Sequence, residues 1–159
     1  MGTLKHQYPH PLEAVFAKLI DGEFVRRRSS AAGHRNIEIT VDEKNGATEI
    51  RLERDIESDI PKFAKRFINP VNHVLDVIRW RDAGDGKAGT YDVKVSARIT
   101  VKGEMTLRPS GTGCVYEDTC TPTVDVPLIG KKIAKLVSDE TVTAIKEDCR
   151  FTQRELDSE

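Results

Sequence analysis

The segment RITVKGEMTLRPSGTGCVYEDTCTPTVDVPLIGKK, residues 98–132, decides the fold of this chain. Ile99, Val101, Met105 and Leu107 alternate with polar residues, the period of a half-buried strand. Pro109-Ser110-Gly111 is a turn. A second extended stretch, Gly113 to Val126, is interrupted by Pro122, which suits an edge or a bulge. Pro127-Leu128-Ile129-Gly130 then opens one long amphipathic helix. Ile129, Ile133, Leu136, Val137, Ala144 and Phe151 share one face of that helix at about 100° per residue. Strand, turn, strand, corner and terminal helix describe a sheet that must curl around a helix to cover its apolar face.

Upstream, Thr3 to Tyr8 reads as a first strand, broken at Pro9-His10-Pro11. Leu12, Val15, Phe16 and Leu19 recur at helical spacing, and Asp21 is placed to cap a second short helix carrying Phe24, Val25 and Arg28. Ile37, Ile39 and Val41 alternate up to Asn45-Gly46, a strong hairpin signal. The returning strand carries Ile50, Leu52 and Arg54. Pro61 can open a short helix bearing Phe63, Ala64 and Phe67, and His73 to Arg81 is another strand, followed by an expected Gly-rich loop, Ala83 to Gly89. From Tyr91 to Leu107 every odd position is apolar or glycine. Strands beyond ten residues are uncommon, so this run divides near Ser96-Ala97. Successive strands without intervening helices pair antiparallel, so the fold class is α+β.

Composition bounds the function. The 159 residues make one domain, spanning 1–159, with 32% charged residues and a net charge of −1. That balance argues against a dedicated nucleic-acid or anionic-membrane binder, while leaving room for a local basic patch. No apolar run approaches the ~18 residues of a membrane span, so integral membrane association is not expected. The N-terminus lacks a signal-peptide core, and three cysteines without metal spacing fit a reducing, cytoplasmic setting. The four histidines show no ligand spacing, and neither a phosphate-cradling loop nor a nucleophile elbow is present. No cofactor is called for. Arg26-Arg27-Arg28, with Lys18 upstream, reads as a solvated basic helix face.

Several local motifs carry a resemblance. Tyr8, Pro11, Val15-Phe16-Ala17, Leu19, Asp21 and Phe24 form its N-terminal part. Gly103-Glu104-Met105-Thr106-Leu107, Gly113 and Val126-Pro127-Leu128-Ile129-Gly130-Lys131-Lys132-Ile133 form its C-terminal part, and Trp80 sits at a strand tryptophan position. In these the chain resembles the START and birch-pollen-allergen (SRPBCC) superfamily, most closely an uncharacterised bacterial branch. The resemblance implies a helix-grip fold: a curved antiparallel sheet of about seven strands around the C-terminal helix, with two short helices after the first strand. It also implies non-catalytic binding of a small hydrophobic or amphipathic molecule, such as a lipid, between sheet and helix. Two departures are visible. The plant allergens' Gly-rich loop between the second and third strands is replaced by the tight turn Glu43-Lys44-Asn45-Gly46, and no catalytic motif of an enzymatic member is present.

The register of the strands nominates Trp80, Tyr91, Met105, Tyr116 and Asp118 as ligand-binding residues, and the helix adds Ile133, Val137 and Glu140. Glu140 falls inside the apolar arc of the helix and is therefore expected to face the cavity as a polar anchor. Arg54, Asp76 and Asp118 would join it if their strand faces turn inward. Two other functions remain open: a cyclase or dehydratase acting on a polyketide-like or lipid substrate through Asp and Glu acid–base groups, and a protein-interaction module whose cavity is filled by its own side chains.

Overall fold

The computed structural model describes residues 1–159. Seven antiparallel strands form one sheet in the order β1-β7-β6-β5-β4-β3-β2. The strands are β1 (Gly2–Tyr8), β2 (Arg35–Lys44), β3 (Ala47–Glu57), β4 (Val71–Ala83), β5 (Gly86–Ser96), β6 (Ile99–Ser110) and β7 (Gly113–Val124). Helices α1 (Leu12–Leu19) and α2 (Gly22–Ala31) follow β1, and α3 (Gly130–Asp157) ends the chain. This is the helix-grip arrangement, with α3 lying across β1 and β7.

Local chemistry explains the corners. Asp21 caps α2, its carboxylate accepting from the backbone N–H groups of Glu23 (3.0 Å) and Phe24 (3.5 Å). Asn45 and Gly46 both take positive φ (51° and 75°), the requirement of a two-residue turn between twisted strands. Pro61 precedes a single 3-10 turn, Lys62–Ala64. Pro122 lies beyond the last β1–β7 pair, Gly2 with Cys120, so its missing N–H falls where β7 has one neighbour only.

The expected Gly-rich loop at 83–89 is corrected. Ala83 pairs with Gly86 across a two-residue turn, and Gly89 lies within β5 opposite Trp80. These glycines make room inside the sheet: a Cβ on Gly89 would press on Trp80 and Met105. The basic cluster is corrected as well. Arg27 pairs with Glu155 (2.7 Å), Arg28 with Asp148 (3.6 Å) and Lys18 with Glu159, tying α1 and α2 to the far half of α3. Arg26 donates to the Ile37 carbonyl (2.7 Å).

Two apolar clusters hold the layers together. The larger joins Tyr8, Leu12, Val15, Ile50, Trp80, Leu107 and Leu156, among others. The smaller gathers Ala64, Ile68, Ile99, Val126 and Ile133 at the end where α3 begins.

Candidate ligand site

The antiparallel registers bring one set of residues onto the concave face. Leu52 pairs with Asp76, Arg54 with Val74, Ile78 with Tyr91, and Met105 with Asp118. Alternation then places Ile50, Leu52, Arg54, Asp76, Trp80, Tyr91, Met105, Tyr116 and Asp118 on the side that α3 covers. Tyr91 lies flat over Gly103, where a Cβ would collide with its ring. Its hydroxyl donates to Asp118 Oδ1 (2.8 Å), and the Tyr116 hydroxyl donates to Oδ2 (2.7 Å). All three residues are buried. Burial raises the Asp118 carboxyl above its ordinary range, and the two phenol donors oppose that rise.

A second polar group lies beside the first. Arg54 Nη2 is 3.9 Å from Asp76 Oδ2, with both side chains largely shielded. Arg54 Nε and Asp76 Oδ1 are buried and have no hydrogen-bond partner. Burial pushes the Asp76 carboxyl up to about 6, against the pull of Arg54. Burial also lowers the Arg54 guanidinium. Arg28 and Asp148 stand behind this pair and act on both members. His34, 2.8 Å from Ser29 Oγ through Nδ1, is held down to about 4 by burial and by Arg54, so it is neutral at physiological pH.

The sheet is closed unevenly. α3 makes its main sheet contacts with β1 and β7, while Phe16 of α1 packs edge-on against Trp80 of β4. Ile78, Val93 and Val95 on the sheet, Leu136, Val137 and Ile145 on α3, and Phe63 and Phe67 from the 58–70 segment are only partly buried. Leu52 and Val93 lie opposite Asp76 and Val74 lies opposite Arg54, so apolar side chains flank the pair. A separate groove of about 620 Å³ lies at the β6–β7 turn, but one hydrophobic residue among eight lines it.

Of the nominated residues, Trp80, Tyr91, Met105, Tyr116 and Asp118 come together in this interior. Ile133 is fully buried in the smaller cluster, and Val137 touches both clusters. Glu140 is a correction: it is exposed, as is Ala144. Of the buried residues of α3, Ile133 lies on the apolar stripe, whereas Ser138, Cys149, Thr152 and Leu156 form an arc turned away from it. The reason is close approach. A Cβ on Gly2 would lie 2.7 Å from both Ser138 Oγ and Val142 Cγ2, so β1 and α3 meet through small side chains. Hydrophobic periodicity is blind to such a contact. Arg28, His34 and Asp148 escaped nomination because they belong to helix ends and an ion-paired seam rather than to a strand register.

The concave sheet, the terminal helix and the polar interior define the class: an SRPBCC-like, START-like fold. The protein TTHA0849 of Thermus thermophilus superposes with a TM-score of 0.62 at 15% identity, covering 95% of each chain. Human STARD10 also gives 0.62 at 12% identity, over 94% of this chain and 62% of that one. An aromatase/cyclase of a Streptomyces species, Zhui, gives 0.61 at 12% identity, over 96% and 90%. At such identities the likeness is one of fold. No curated protein matches the sequence. The chain belongs to the family described as "Protein of unknown function (DUF2505)", whose model matches residues 3–156.

Proposed function

We propose that the chain binds a small amphipathic molecule, without converting it, between α3 and the β3–β5 half of the sheet. One observation supports this reading: Arg54 Nε and Asp76 Oδ1 are buried and unpartnered, on side chains whose Nη2 and Oδ2 stand 3.9 Å apart. An unmet donor and an unmet acceptor cost roughly 1–3 kcal/mol each. A single hydroxyl satisfies both, accepting from Nε–H and donating to the carboxylate. The ligand class that fits is an alcohol or phenol on an apolar body. Trp80, Tyr91, Met105, Tyr116, Ile133 and Val137 would form or support its walls, with Asp118 fixing the two tyrosines. The three free buried cysteines suit a reducing compartment.

The test is a thermal-shift comparison of matched alcohols and their methyl ethers. An alcohol at 100 times its Kd stabilises by ~2.7 kcal/mol. For a chain of this size that is a rise of roughly 5–11 °C. The ether should raise the melting temperature less, and Arg54→Met should erase the difference. No stabilisation by any member would sink the reading and favour an interaction module with a filled interior. One observation favours an enzyme instead: a carboxyl at about 6 both gives and takes protons near neutrality. Loss of water from a bound hydroxyketone, abolished in Asp76→Asn, would establish that alternative.

A further inference from the structure

The net charge of −1 conceals a segregation of charge. Three segments meet around the smaller apolar cluster: 58–70 between β3 and β4, 95–99 at the β5–β6 turn, and 124–132 leading into α3. The Asp125 N–H donates to the Arg98 carbonyl (2.8 Å), which joins the last two. Lys132 Nζ stands 4.1 Å from the centre of the Phe63 ring, which joins the first and third. These segments carry six exposed cations: Lys62, Lys65, Arg66, Arg98, Lys131 and Lys132. None of the six forms an ion pair, whereas Arg27 and Arg28 of α2 are matched by Glu155 and Asp148 on α3. Asp59 and Asp125 are the segments' own carboxylates.

An apolar side chain projects from the same surface. Leu128 is 104% exposed and holds a left-handed backbone, φ 71°. A leucine with positive φ is uncommon and usually needs a reason. No burial rewards this one. Val71, at the other margin of the 58–70 segment, is 43% exposed. Basic side chains around a projecting leucine, beside half-buried Phe63 and Phe67, match the chemistry of a lipid interface: lysines toward anionic headgroups, apolar tips below them.

We infer that this end of the molecule docks on an anionic lipid surface, with Leu128 as the inserted tip. The docking surface stands on charge and exposure alone, so it survives even if no ligand enters.

The test is sedimentation of the full chain with vesicles of phosphatidylcholine alone and with about one-third phosphatidylserine. Binding to the anionic vesicles only is expected, and it should fade as salt shortens the screening length from about 10 Å toward 3 Å. Each basic residue at such a surface is worth roughly five-fold in partition. The combined change Lys62→Ala, Lys65→Ala, Arg66→Ala should therefore weaken binding roughly a hundredfold. Arg51→Ala, Arg81→Ala, Lys94→Ala, which removes equal charge from the convex face, should do far less. Leu128→Asn keeps a residue that tolerates positive φ and should weaken binding several-fold with an unchanged melting temperature. Equal binding to both vesicle types, no binding at low salt, or equal loss in the two triple variants would overturn the inference. So would heparin binding that tracks the basic residues while vesicle binding ignores Leu128, which would assign the patch to a soluble polyanion.

Discussion

Asp76→Asn should stabilise this protein at neutral pH and leave it unchanged in acid. Burial raises the Asp76 carboxyl from 3.8 to about 6 in the folded chain. Below about pH 4 the group is protonated in both the folded and unfolded states, and it contributes no penalty. Between about 4 and 6 the unfolded chain ionises while the folded chain resists, so stability falls as pH rises. Above the folded value the penalty is complete. A displacement of about two units at ~1.4 kcal/mol each is on the order of 3 kcal/mol. Asparagine mimics the protonated form, with Arg54 still opposite. The variant should therefore melt roughly 6–12 °C higher at about pH 7.5 and coincide with the parent near pH 3. Scanning calorimetry across that range reads the effect directly. Destabilisation at neutral pH would mean that the ion pair with Arg54 outweighs desolvation, and a gain independent of pH would show that charge is not its source. Either result refutes the reasoning.

Other consequences are equally checkable. Asp118→Ala strands two buried phenol donors and should cost roughly 2–6 kcal/mol in urea unfolding. Asp118→Asn keeps an acceptor and should cost much less; equal losses would contradict the paired hydrogen bonds. Gly103→Ala should displace the Tyr91 ring and lower stability by about 1–3 kcal/mol, with a shift in near-ultraviolet circular dichroism. Ile133→Ala should cost about 2–5 kcal/mol. Glu140→Gln, on the exposed face, should leave the melting temperature unchanged at acid, neutral and basic pH. A clear response at Glu140 would return that residue to the interior.

The sheet was legible because its signals are local. Asn45-Gly46 specifies its turn by backbone preference, Asp21 caps its helix by a side-chain hydrogen bond, and the odd positions from Tyr91 to Leu107 alternate as a half-buried surface must. Alternation left Arg54, Asp76 and Asp118 together only on the condition that their strand faces turn inward, and it is the registers that place them on one side. The orientation of α3 was not legible in the same way. Ser138 meets β1 at Gly2 and Thr152 meets α2 through Arg28, so the buried arc follows those contacts and Ala144 is left exposed. The glycines near residue 86 resemble a loop in sequence because composition cannot distinguish a flexible glycine from one lying under Trp80. The basic run in α2 reads as free until the carboxylates of α3, more than a hundred residues later, pair with Arg28, which is shielded, and with Arg27, which stays exposed.

The pairing of β1 with β7 has a kinetic consequence. Tyr8 is matched with Cys114, and Gly2 with Cys120. Strands β2 to β6 can add one hairpin at a time as the chain lengthens. The first strand, by contrast, has no neighbour until the last one exists, and α3 cannot settle until both are in place. At about 5–20 residues per second, β1 waits on the order of 5–20 s during synthesis. Closing so long a loop also makes the final docking slow, as for folds dominated by distant contacts. During that interval β7's future partner is an unpaired edge, and its alternating Leu4, His6 and Tyr8 are open to chaperones or to a neighbouring chain.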